Sequence, residues 1–198
     1  QGRSLSELLP AVPAGLRPGV QALTFQVLRQ LGTARALVAH LAPRKPKPAV
    51  QALLCSAVAL LLHEPGDTPA ASAFSPYPAH TVVNQAVDAA RQQRSTQRQA
   101  AFVNACLRRF LRERTTLQAA VANDPEARWS HPRWWIDRVK HDHPDHWQAI
   151  LTANNQPGPM TLRVNRRQTS RASYQQALKE AGFAAWPVGD DGLTLDAP

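Results

Sequence analysis

The chain has 198 residues, 43% of them hydrophobic, and its 23 lysines and arginines against 14 acids give a formal net charge of +9. A chain of this length can bury one core of roughly 110 to 150 residues and add a smaller unit. No apolar run reaches the roughly 20 residues of a membrane span, and the first residues lack a basic-then-apolar signal, so the cytoplasm is the expected compartment.

Helical periodicity dominates the first 115 residues. It predicts one long helix over about residues 18–41 and an almost wholly apolar one over about residues 49–63, the buried centre of a bundle. Between them Pro43-Arg44-Lys45-Pro46-Lys47-Pro48 is too rich in proline to continue a helix and reads as a stiff basic connection. Its lysines are within reach of phosphate, although a solvated turn is the favoured reading. Residues 64–78, rich in proline and small side chains, read as a loop.

Helix resumes near Ala79, where Val82, Val83, Ala86, Val87 and Ala90 follow the i, i+3, i+4 pattern, and another helix is expected over about residues 99–114. At about 100° per residue, Phe102, Val103, Cys106, Leu107, Phe110 and Leu111 share one half of that second helix. Asn104, Arg108 and Arg112 stack at i, i+4 and i+8 on the other. Both cysteines, Cys55 and Cys106, sit in apolar helical surroundings and are expected to be buried free thiols, with neither a disulfide nor a zinc site.

An outward arginine column taken alone is a solvated surface. The charge distribution argues for more. Residues 1–115 hold 14 Lys+Arg against 5 Asp+Glu, whereas residues 116–198 hold 9 against 9, so the whole excess lies in the first part. Segregated positive charge favours a polyanionic partner, and the planar fork of arginine, which grips phosphate at two points or stacks on a base, favours nucleic acid over membrane. The candidate RNA contacts are Arg108 and Arg112, then Arg109, Arg91, Arg94 and Arg98, with Asn104 in the same column.

From Asp124-Pro125 onward Trp129, Trp134, Trp135 and Trp147 crowd together with His131, His141, His143 and His146. Two short helices divided at Pro144 are expected. The tryptophans read as cement for a joint between domains, with base stacking as the alternative. The histidine-rich turn has metal-binding residue types but no second cluster, so no metal is expected. Met160-Thr161-Leu162-Arg163-Val164-Asn165 alternates like a strand, Ser170 can cap a helix to about Ala181, Gly182 can end it, and residues 183–186 and 193–195 can supply further strands.

Val82-Val83-Asn84-Gln85-Ala86-Val87, a basic linker and Phe102-Val103-Asn104-Ala105-Cys106-Leu107-Arg108 resemble the NusB-like helical RNA-binding fold, with Gln85 where glutamate is usual. Beyond it, His131-Pro132-Arg133-Trp134-Trp135, His143-Pro144-Asp145-His146-Trp147, Ala153-Asn154-Asn155-Gln156 and Pro159 to Asn165 resemble the RsmB family of bacterial ribosomal RNA methyltransferases, also called Sun or Fmu. Residues 2–10 are similar to the same family. The proline-rich stretch over 65–78 is longer than usual, and Gly158 stands where proline is common.

The resemblance implies a mainly α chain: a NusB-like RNA-binding bundle over residues 1–124, a Trp/His-rich helical connector over 125–157, and the start of a small α+β unit over 158–198. It implies that the intact protein uses S-adenosylmethionine to form 5-methylcytosine in 16S rRNA, a loop cysteine adding to C6 of the base. Cys55 and Cys106 lie inside helices and not in the family's Pro-Cys or Thr-Cys loops, and no glycine-rich strand-turn-helix is present. With no initiating methionine and an end directly after a strand-like segment, the sequence is expected to be a fragment. It should bind no cofactor, be inactive alone, and capture and orient 16S rRNA for its own C-terminal methyltransferase domain. Two other classes stay open: a stand-alone antitermination-type RNA scaffold, and a helical protein-interaction domain.

Overall fold

The computed structural model describes residues 3–62 and 77–196. They form two compact units, one made by residues 3–62 and 77–155, the other by 156–196. The expected loop lies outside the described residues except for Tyr77 and Pro78.

The first unit opens with α1 (Leu5–Leu8), whose N-cap Ser4 accepts from the Glu7 backbone N–H at 3.3 Å. Two single 3₁₀ turns lead into α2 (Arg17–Arg29) and α3 (Leu31–Leu41). One helix was expected here, but Gln30 leaves the helical region at φ −108°, ψ 9° and divides it in two. Packing accounts for the division: α2 has no fully buried residue, whereas α3 buries Ala34, Leu37, Val38 and Leu41.

The apolar helix α4 (Pro48–Leu61) begins with proline at its first position, where a missing N–H costs nothing. Val50, Leu54, Val58 and Ala59 are wholly inaccessible, and Cys55, Ala57 and Leu61 nearly so, so α4 is the centre of the bundle. Around it pack α3, α5 (Ala79–Gln92) and α6 (Ala100–Val121). Helix α6 runs past its expected end near Arg114 because it bends and does not stop: Glu113 adopts φ −110°, ψ 18°, and Leu117 and Val121 beyond the bend still reach the core.

Three short helices follow where two were expected. They are α7 (Pro125–Trp129), capped by Asp124, then α8 (Arg133–Asp142) and α9 (Trp147–Asn154), which flank Pro144. Gly32 lets α3 approach α7 closely, since a Cβ there would fall 2.1 Å from the Glu126 carbonyl oxygen. The neighbouring Thr33 hydroxyl donates to the Ala127 carbonyl at 2.6 Å. Trp129, Trp135 and Trp147, expected to cement a joint between domains, pack around Ile136, Val139 and Leu151 as a satellite core inside this unit. The rings of Trp129 and Trp147 meet edge to face at 5.1 Å, while Trp134 is 68% exposed.

The second unit is a three-stranded antiparallel sheet in the order β1 (Thr161–Arg163), β3 (Gly192–Leu195), β2 (Ala185–Val188), with α10 (Arg171–Glu180) packed against β2 and β3. Thr161 faces Thr194 across the ladder, their hydroxyls 3.0 Å apart. Ser170 caps α10 as expected, accepting from the Ser173 N–H at 3.1 Å. Gly182, at φ +87°, closes it: its N–H reaches the Lys179 carbonyl and that of Phe183 reaches Leu178, the paired bonds of a Schellman ending. A mainly helical bundle followed by a small α+β unit is therefore the fold. Among the described residues, no helix is long and apolar enough to cross a membrane.

Candidate nucleic-acid interface

The hairpin of α5 and α6 carries all seven arginine and asparagine candidates. Its turn is held from inside: the buried Thr96 hydroxyl donates to the Ala90 carbonyl at 2.8 Å and lies 3.2 Å from that of Gln93. Arg91 in the last turn of α5, Arg94 in the turn and Arg98 in a single 3₁₀ turn thereby gather at one end of the hairpin, and all three are exposed.

Along α6 the core side is set by Val103, Leu107 and Phe110, none of them accessible, with Cys106 beside them. Phe102 is not part of it. About 100° round from Val103, it lies at the edge of the buried arc and is 39% exposed. Opposite the core, Arg108 donates from Nε to Asn104 Oδ1 at 3.2 Å. That bond uses Nε, and the residue remains exposed. Arg112 follows one turn on, also exposed, and neither arginine has an acidic partner among the described residues.

Arg109 differs. It projects from another side of α6 and donates to Glu113 Oε2 at 2.8 Å, so its charge is already matched. Arg91 is matched in the same way by Asp88 at 3.3 Å. At about 1.5 Å of rise per residue, Arg108 stands about 12 Å along α6 from its first residue, Ala100, just past the turn that holds Arg98. The seven candidates thus form an outward pair with its asparagine support, an exposed group at the hairpin turn, and two arginines occupied by neighbouring carboxylates.

The two thiols are core side chains. Burial pushes the Cys55 thiol above its usual range, with Arg35 pulling the other way, and burial raises Cys106 against the opposing charge of Arg109. Both are free cysteines. Among the described residues, no group of three histidine, cysteine or acidic side chains is placed to hold a metal ion.

Averaging charge over residues 116–198 concealed a second basic site. Arg163, Arg166, Arg167 and Arg171 fall within nine residues that contain no acid. Two have structural work: Arg166 pairs with Asp191, and Arg171 donates to the Gly189 and Asp190 carbonyls at 2.7 and 3.2 Å. Arg163 and Arg167 border an open cavity of about 410 Å³ and remain exposed. A shorter charge window would have found this cluster in the sequence.

Comparison with known proteins gives two matches along the chain. Residues 1–112 match the NusB family, and residues 131–198 match the RsmF/B-like methyltransferase ferredoxin-like domain. The chain is 32% identical over 203 residues to the ribosomal RNA small subunit methyltransferase B of Vibrio cholerae, the match covering 100% of this chain and 45% of that protein. Proteins of the same name from Serratia proteamaculans and Escherichia coli O6:H1 are each 32% identical over 204 residues, with the same coverage. The chain therefore spans 45% of the length of these curated relatives.

Proposed function

The chain belongs to the NusB family, and from that premise we propose that it captures 16S ribosomal RNA and orients it for methylation. The observation that carries this reading is the outward pair Arg108 and Arg112, lacking acidic partners among the described residues and built on a helix whose opposite side is locked into the core. A rigid helix presents the two guanidinium groups at a fixed spacing of one turn, which suits successive phosphates better than flexible loop charges.

The methyl transfer itself is proposed for the part of the intact protein that corresponds to the relatives' length beyond this chain, which would form 5-methylcytosine with S-adenosylmethionine as donor. The side chains here do not fit that donor or its chemistry. The turn from β1 into α10, Val164-Asn165-Arg166-Arg167-Gln168-Thr169-Ser170, contains no glycine to let a cofactor approach the backbone. A nucleophile for cytosine C6 must be an accessible thiolate, and Cys55 and Cys106 are buried with raised pKa. The proposed partners are 16S rRNA and the protein's own methyltransferase domain, and the proposed compartment is the cytoplasm.

Binding to a small-subunit rRNA hairpin as a function of salt tests the reading. Arg108→Ala with Arg112→Ala should weaken binding and make the log–log salt slope shallower by about 1.4 to 1.8, two phosphate contacts at about 0.7 to 0.9 each. An unchanged affinity and slope would leave a helical protein-interaction domain as the better description.

A further inference from the structure

Between α2, α3 and α4 lies a cavity of about 520 Å³, on a different set of helices from the arginine column. Arg35 from α3 and Lys45 from the proline-rich connection line it. It is lined by the apolar residues Val27, Leu31 and the largely buried Cys55 and by the polar residues Gln51 and Ser56 on α4. Both cations are exposed, and neither has an acidic partner among the described residues. The surrounding sequence explains this: residues 8–63 contain six lysines and arginines and not one aspartate or glutamate.

The chemistry of the walls narrows the ligand. Two unmatched cations in the lining suit one phosphodiester group, and the start of α4 at Pro48 adds the positive end of its dipole to the same lining. The apolar wall would accept the face of a flat ring, and the amide of Gln51 with the hydroxyl of Ser56 offers donors and acceptors to a ring edge. Single-stranded RNA is read by this combination, a base splayed from its stack and hydrogen-bonded along its edge. A cavity in the lower part of the range of ordinary ligand sites holds one nucleotide and not two stacked ones.

We propose that this cavity receives a single unpaired nucleotide of the captured RNA, its phosphate held by Arg35 and Lys45 and its base seated between the Val27–Leu31 wall and the Gln51 and Ser56 side chains. This inference rests on the RNA-capture reading above. It adds recognition of an unstacked base to an interface that otherwise contacts phosphate alone.

The test uses the 198-residue chain and two RNA probes sharing one stem, a hairpin with an unpaired loop and a blunt duplex. Ala52, exposed at the cavity wall, permits a plug without change of charge. Ala52→Trp should lower hairpin affinity about tenfold, the loss of one hydrogen-bonded base, while leaving duplex affinity and the salt slope unchanged. Arg35→Glu, at an exposed site, should lower hairpin affinity by at least as much and duplex affinity by less, and serves if the tryptophan variant does not fold. Equal affinity of Ala52→Trp and the parent chain for the hairpin overturns the cavity assignment, as does an equal loss on both probes. If these variants bind as the parent does while Arg108→Ala with Arg112→Ala weakens binding, RNA capture stands without the cavity. Failure of the parent chain to bind either probe overturns both.

Discussion

A few side chains divide the proposed interface from the scaffold. Arg108 and Arg112 were legible in the sequence because a helix repeats its faces every 3.6 residues, so the polar column opposite Val103, Leu107 and Phe110 could be read directly. The ranking of the other arginines was not, because it depends on carboxylates: Glu113 takes Arg109 and Asp88 takes Arg91. Exposed pairs of this kind contribute little stability, about 0.2 to 1 kcal/mol, but they reduce the charge available to a phosphate. Arg109→Ala should therefore change RNA affinity less than Arg108→Ala, measured side by side at one salt concentration. The thiols allow a separate prediction. Burial raises both above the usual 9.0, so the folded chain keeps its protons where the unfolded chain releases them. Their contribution is fully present below pH 9.0 and is lost as pH rises through the higher folded-state values. Urea midpoints between pH 8 and pH 11 should fall less steeply in Cys55→Ala with Cys106→Ala than in the parent chain.

At the scale of elements, periodicity located the long helices, joined α2 to α3, ended α6 early and missed the short α7. The division of α2 from α3 falls at Gln30, two residues before Gly32, and follows from packing: α3 turns its apolar side into the core while Gly32 sits against the α7 backbone, distant in sequence. The continuation of α6 beyond Glu113 is likewise a matter of packing, since Leu117 and Val121 find the core only after the bend. The caps were easier, because Ser170 and Gly182 act through chemistry confined to neighbouring residues. Gly32→Ala should destabilise the first unit by about 1 to 3 kcal/mol, since its Cβ meets a backbone oxygen that cannot rotate away. Thermal unfolding should show a drop of several degrees; an unchanged midpoint would contradict the close α3–α7 contact. Phe110→Ala, which empties an inaccessible site on α6, should cost more, about 3 to 5 kcal/mol.

For the whole molecule, the excess charge and the order of motifs were enough to anticipate a NusB-like bundle followed by a small α+β unit. Charge averaged over long segments was too coarse to reveal where the cations gather in three dimensions, at the α3–α4 cavity and in the Arg163–Arg171 cluster. The central claim is that RNA binds through a particular face and not through net charge, and a charge-matched comparison tests it most directly. Arg133→Ala with Arg138→Ala removes the same two charges from α8, where Asp137 and Asp142 already neutralise them. Measured against salt with a small-subunit rRNA hairpin, that control should keep the parent affinity and slope, while Arg108→Ala with Arg112→Ala should bind more weakly with a slope shallower by about 1.4 to 1.8. Equal effects of the two pairs, or no effect of the α6 pair, would contradict the account.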